Sequence, residues 1–151
     1  MDEGLAALSA TGTALARPSL LTRLAEAYLL KGRLDEGLRA LAEAMAVGEQ
    51  NEDRQDESER YRVKGELLVR QDDSDAAEAQ KCFERALEIA RQRNARSYEL
   101  RATMSLARLL TKQGRRDEAR TMLADIYNWF TEGFDTADLK DAKALLDQLA
   151  T

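Results

Sequence analysis

Apolar residues recur along this chain at spacings of three and four, broken by short polar or glycine-bearing turns. Leu20, Leu21, Leu24, Ala25, Tyr28 and Leu29 form one stripe and predict a helix over 19–31. Pro18 opens it, because a first helical turn does not need the N–H that proline lacks. Gly32 then stands where a left-handed C-terminal cap is wanted. Asp35 and Glu36, well placed against an N-terminal dipole, begin a helix over 35–48 that Gly48 closes. Residues 49–57 have no apolar member and read as a flexible connection or as solvated helical turns. Further stripes predict helices over 58–71, 75–93, 96–113 and 117–131, the last two closed by Gly114 and Gly133. The turn before 75 is two residues longer than its counterparts and ends in N-cap residue types. Asp135 and Thr136 are N-cap types for a final helix over 137–149. Its stripe is Leu139, Ala142, Leu145, Leu146 and Leu149, with Lys140, Asp141 and Asp147 outside.

The pattern repeats itself. GRLDEGLRALAEA at Gly32 returns as GRRDEARTMLADI at Gly114, and a looser copy begins at Ser74. Each copy carries a small, a bulky and a small or apolar residue: Gly37, Leu41, Ala44; Ala79, Phe83, Ala86; Ala119, Leu123, Ile126. The first members lie 42 and 40 residues apart, a period that implies stacked supersecondary units acting by binding. Residues 2–15 match 35–47 without a partner helix: Asp2, Glu3, Gly4 and Leu5 parallel Asp35, Glu36, Gly37 and Leu38, and Leu8 parallels Leu41.

Composition narrows the class further. The 151 residues include one proline and few Val or Ile, which favours helix over strand. A net charge of −5 disfavours nucleic acid as the main partner, since phosphate binding needs a basic surface. No apolar run approaches a membrane span and no signal peptide is visible; with a single cysteine, the chain reads as cytoplasmic. There is no histidine, so Cys–His pairs, Ser–His–Asp triads and the common zinc sites cannot be assembled within it. No catalytic residue, cofactor or metal is expected.

At these positions the chain resembles the tetratricopeptide repeat, which pairs antiparallel helices through small residues where they cross. The first-helix positions are Leu24, Ala25, Tyr28; Lys64, Gly65, Leu68; and Leu106, Ala107, Leu110. The hairpin glycine is present as Gly32 and Gly114 and absent from the middle repeat, and the spacing exceeds the usual 34 of the family. The resemblance implies an all-α, right-handed superhelix of antiparallel hairpins. It forms one domain: a half repeat over 1–16, repeats over about 18–48, 58–93 and 96–131, and a capping helix over 136–150. The tail, residues 97–149, resembles the C-terminal end of large bacterial signalling proteins that join an ATPase, often with a nucleotide cyclase or a DNA-binding domain, to a repeat region. No phosphate-binding glycine loop is present here. The implied function is protein–protein interaction or regulatory scaffolding within such a protein. The alternative is a sensory domain that binds a small ligand or peptide and regulates the attached enzyme.

Candidate chemistry is sparse. Cys82 lacks a base and reads as inert. Carboxylate pairs such as Asp72 with Asp73, or Glu57 with Glu59, read as a solvated face. Tyr127, Trp129, Phe130 and Phe134 read as terminal core, with Trp129 the most exposed. In the resembled family the first helices line a concave face, which here implies Thr22, Glu26, Leu29; Arg62, Glu66, Arg70; and Arg101, Met104, Arg108, Lys112. Arg62, Arg70, Arg101, Arg108 and Lys112 would form a basic strip suited to an acidic protein or peptide.

Leu5 and Leu8 sit on a half repeat and predict self-association of that edge as a two-fold dimer. Light scattering over a dilution series should show a dimer that Leu5→Glu with Leu8→Glu dissolves; a wild-type monomer at every concentration refutes it.

Overall fold

The computed structural model describes residues 17–50, 57–134 and 136–150. Within them lie seven α-helices and no strand: α1 (Arg17–Leu30), α2 (Leu34–Gln50), α3 (Glu57–Gln71), α4 (Ala76–Gln92), α5 (Arg96–Lys112), α6 (Arg116–Tyr127) and α7 (Ala137–Ala150). The half repeat with Leu5 and Leu8 lies outside the described residues.

Turns of a few residues fold α1 on α2, α3 on α4 and α5 on α6, and the hairpins stack in chain order. Successive first helices touch directly, α1 with α3, α3 with α5 and α5 with α7, whereas no comparable contact joins α2 to α4 or α4 to α6 among the described residues. The stack therefore curves toward α1, α3, α5 and α7. This is the all-α hairpin repeat that the periodicity predicts, and α7 continues its inner layer.

Three turns share one backbone device. Gly32, Asn94 and Gly114 have φ of +75°, +54° and +79°. The next residue's N–H in each case reaches back to a carbonyl five residues earlier: Arg33 to Tyr28 at 2.9 Å, Ala95 to Ala90 at 2.9 Å and Arg115 to Leu110 at 2.8 Å. This left-handed cap satisfies carbonyls that the helix end would leave orphaned. The longer turn before α4 is instead a 3-10 turn over Asp73–Asp75. Asp75 makes no side-chain cap there; Asp72 Oδ1 accepts the Ser74 N–H at 2.9 Å within the turn.

Two predicted helix ends need correction. Gly48 does not stop α2, which runs on to Gln50. Nor does Gly133 close α6. That helix ends at Tyr127, where the Trp129 and Phe130 N–H groups bond three residues back, to Ile126 and Tyr127, and tighten the last turn. Gly133 belongs to the next loop. Its carbonyl accepts both the N–H and the hydroxyl of Thr136, and the Thr136 hydroxyl in turn faces the Leu139 N–H as the cap of α7.

Small residues set the close approaches between helices. Ala25, Ala79, Ala86, Ala107, Ala119 and Ala142 are fully buried, as the repeat register requires. The middle repeat, the one with fewest family features, uses Gly65: a Cβ there would lie 2.4 Å from the Phe83 ring of the facing helix. One apolar cluster joins α1, α2 and one face of α3 through Tyr28, Leu41, Val63 and Leu67; a larger one runs from α4 to α7 around Phe83, Leu100, Leu110 and Leu123. The α7 stripe seals its end, with Leu139, Ala142, Leu145 and Leu149 buried. Cys82 is buried in α4, and burial pushes its thiol up, away from the reactive thiolate.

Gly65→Ala tests the crossing. Alanine favours an exposed helix over glycine by up to about 1 kcal/mol. Forcing a Cβ against an immobile ring costs about 1–3 kcal/mol. Chemical denaturation should show a lowered midpoint; an unchanged or raised one would mean the ring has room to move.

Candidate functional site: the inner-face groove

The inner helices present charged side chains at positions three, four and seven apart, so each helix contributes a row to the concave face. At its centre stands Glu59, in the first turn of α3 and only 8% exposed. Arg62, on the next turn, donates its Nε to Glu59 Oε2 at 2.6 Å and an Nη to Oε1 at 3.3 Å. Arg101 of α5 donates to Oε1 at 2.6 Å. Each guanidinium also holds a second carboxylate: Arg62 bonds Glu26 of α1 at 2.7 Å, and Arg101 bonds Asp138 of α7 at 2.9 Å. The result is a ladder, Glu26–Arg62–Glu59–Arg101–Asp138, that crosses all four inner helices.

The electrostatics follow from this geometry. Burial pushes the Glu59 carboxyl up, but hydrogen bonds and charge from Arg62 and Arg101 outweigh it and hold the group below its ordinary value. Burial pulls the Arg62 and Arg101 guanidiniums down, and their carboxylate partners outweigh it and raise both. All three stay charged at neutral pH.

The expected basic strip is thus a mixed-charge surface. Arg62 and Arg101 spend their donors inside the ladder. Arg70 donates to the Leu29 carbonyl at 3.0 Å, capping the last turn of α1. Arg108 and Lys112 are exposed on α5 and have no ion pair among the described residues. Glu66 is half-buried on α3. Leu29, placed in the groove by the sequence reading, is buried core instead, because the α1 stripe turns it toward α3. Glu59, a solvated position by its sequence context, is buried on this face.

Two cavities flank the ladder. One of about 430 Å³ is lined by Thr22, Arg23, Glu26, Glu59, Val63, Tyr98 and Arg101. The other, of about 250 Å³, is lined by Glu26, Arg62, Arg101, Met104, Arg108, Asp138 and Asp141. They share Glu26 and Arg101 and form one groove. Glu59, Tyr98, Asp138 and Asp141 line the groove without standing out in the sequence as groove residues. A signal was available: the cross-helix rungs join residues 36, 42 and 37 apart, close to the repeat period itself. Charges of opposite sign one period apart on inner helices are the pattern to seek.

Residues 68–132 match the family model of the tetratricopeptide repeat. The match covers the end of α3, all of α4, α5 and α6, and the start of the following loop, and it supports the tetratricopeptide repeat as the family. The α1–α2 hairpin lies outside the match but repeats its glycine turn and its buried small residues. No curated protein matches the chain. Tetratricopeptide repeats generally mediate protein–protein interaction or scaffolding and are typically non-catalytic. Among the described residues, no helix is long and apolar enough to cross a membrane.

Glu59 gives the fold a signed pH dependence. Its carboxyl lies below the ordinary 4.5 in the folded state, so the ladder's contribution is complete above 4.5 and is lost as pH falls through the folded value. Denaturation of Glu59→Gln at neutral pH should show a loss of about 1–3 kcal/mol. The drop in wild-type stability below 4.5 should be shallower in that variant. Parallel pH profiles for the two proteins would remove Glu59 from this role.

Proposed function

We propose that the inner face binds a segment of a partner protein, and that the chain is a protein–protein interaction or regulatory scaffold module without catalytic activity. The observation that carries this reading is the groove across four inner helices, two cavities that share Glu26 and Arg101 beside the charge ladder. Its lining is dominated by charged and polar side chains, which suits peptide backbone and polar side chains better than an apolar small molecule. That favours the scaffold over a small-ligand sensor. The partner segment carries acidic residues, which meet Arg108, an exposed cation lining the groove, and Lys112, one turn further along α5. The resemblance of residues 97–149 to the ends of large bacterial signalling proteins supports a place in a protein of that kind, acting in the cytoplasm.

A labelled acidic peptide should bind the chain and weaken as salt rises from about 0.05 to 0.3 M, because exposed charges are screened over about 6–14 Å in that range. Arg108→Glu with Lys112→Glu should weaken binding about tenfold through the lost and reversed rim charge. Full affinity in that double variant would place the site elsewhere.

A further inference from the structure

Trp129 and Phe134 are two of the three exposed large apolar side chains among the described residues, and both lie in the loop between α6 and α7. Beside them a cleft of about 660 Å³ opens between this loop, the start of α5 and the start of α7. Buried Leu100 and Leu139 give it an apolar floor, and Phe130 and Trp129 a wall. The volume lies within the range of roughly 300–1,000 Å³ usual for binding sites.

The lining charges are all of one sign. Glu132 and Asp138 line the cleft and no cation does. Asp138 is partnered by Arg101 at 2.9 Å, so the uncompensated charge rests on Glu132, which is exposed and has no ion pair among the described residues. Trp129 is held in place although half in water. Phe130 meets its ring edge-on at 5.2 Å, and the Arg96 guanidinium lies 5.0 Å over it while bound to Glu99 at 2.8 Å. A fixed, exposed indole over an apolar floor is the composition of an interaction hot spot.

We propose that this cleft is a second binding site, distinct from the inner-face groove, for a basic amphipathic segment of a partner protein. An apolar side chain of that segment enters over Leu100 and Leu139. A neighbouring lysine or arginine meets the Glu132 carboxylate and the uncovered part of the Trp129 ring, where a cation is attracted by the π-system. The cleft thus selects the opposite charge from Arg108 and Lys112, so the two surfaces serve different segments. A second copy of the chain, with its net charge of −5, is a poor electrostatic match for it.

Trp129 is the sole tryptophan, so its emission in the full chain reports this cleft alone. Three tryptophan-free peptides serve as probes: leucine and phenylalanine set between lysines, the same peptide with glutamate for lysine, and the lysine peptide with serine for the apolar residues. The first should give a saturable blue shift and the other two none. Glu132→Lys, a change at an exposed position, should weaken that binding about fivefold or more, and Glu132→Gln by less. Arg108→Glu with Lys112→Glu should leave it unchanged. Absence of a shift, an equal shift with either control peptide, or undiminished binding by Glu132→Lys overturns the proposal. A shift that disappears in the Arg108 and Lys112 variant would make the Trp129 signal depend on the inner groove rather than on this cleft, and overturns the proposal as well.

Discussion

A carboxylate that is almost out of water needs positive charge in contact with it, and at Glu59 two guanidiniums supply it. Removing one partner of such a pair leaves an uncompensated buried charge, which costs far more than an exposed ion pair contributes. The requirement fixes more than one side chain. Glu59 and Arg62 are neighbours on α3, but Arg101 reaches Glu59 only if α5 lies against α3 at one register. Glu26 and Asp138 impose the same condition on α1 and α7. The ladder therefore sets the relative placement of the four inner helices, and with it the width of the groove. The network is enclosed at Glu59 and Arg62 and partly open at its ends, and its bonds are satisfied together only in this arrangement of the helices.

The apolar contacts do a different job. Alanines and glycines at the crossings let helices approach until bulky residues such as Phe83 and Leu123 fill the space between layers. Shape complementarity of this kind contributes most of the stabilisation, because it buries large apolar area at little entropic cost. It says nothing of charge. The two faces of the molecule thus answer to separate physical demands: close approach between layers, and charge satisfaction along the concave surface. The loop after α6 answers to neither. Its Trp129 stays partly in water, held by Arg96 and by Phe130, which itself packs against the core.

This division explains what could be read from the sequence. The buried triples from Gly37 to Ile126 recur at a fixed period, and the positions of Gly32 and Gly114 follow from helix-end chemistry that is local. Local rules also placed the stripe of α7. They failed at two helix ends and at the long-range charge pairs. Gly48 looks like a stop, yet α2 passes through it; α6 shortens because Tyr127 and Phe130 turn onto the core. The groove charges were found one by one but not in pairs, since Glu59 and Arg101 lie 42 residues apart and meet only through the stack. Composition near Glu59 suggested solvent, and the superhelix put it inside.

A ladder that sets the stack makes Glu59 and Arg101 energetically coupled across it. A double-mutant cycle on folding stability measures this directly, with Glu59→Gln, Arg101→Met and the two combined, at neutral pH and low salt. The expected coupling is above about 1 kcal/mol, since residues in one salt-bridge network depart from additivity by roughly 0.5–3 kcal/mol. Additive losses, with a coupling within about 0.3 kcal/mol of zero, would contradict it and reduce the ladder to a row of independent surface contacts.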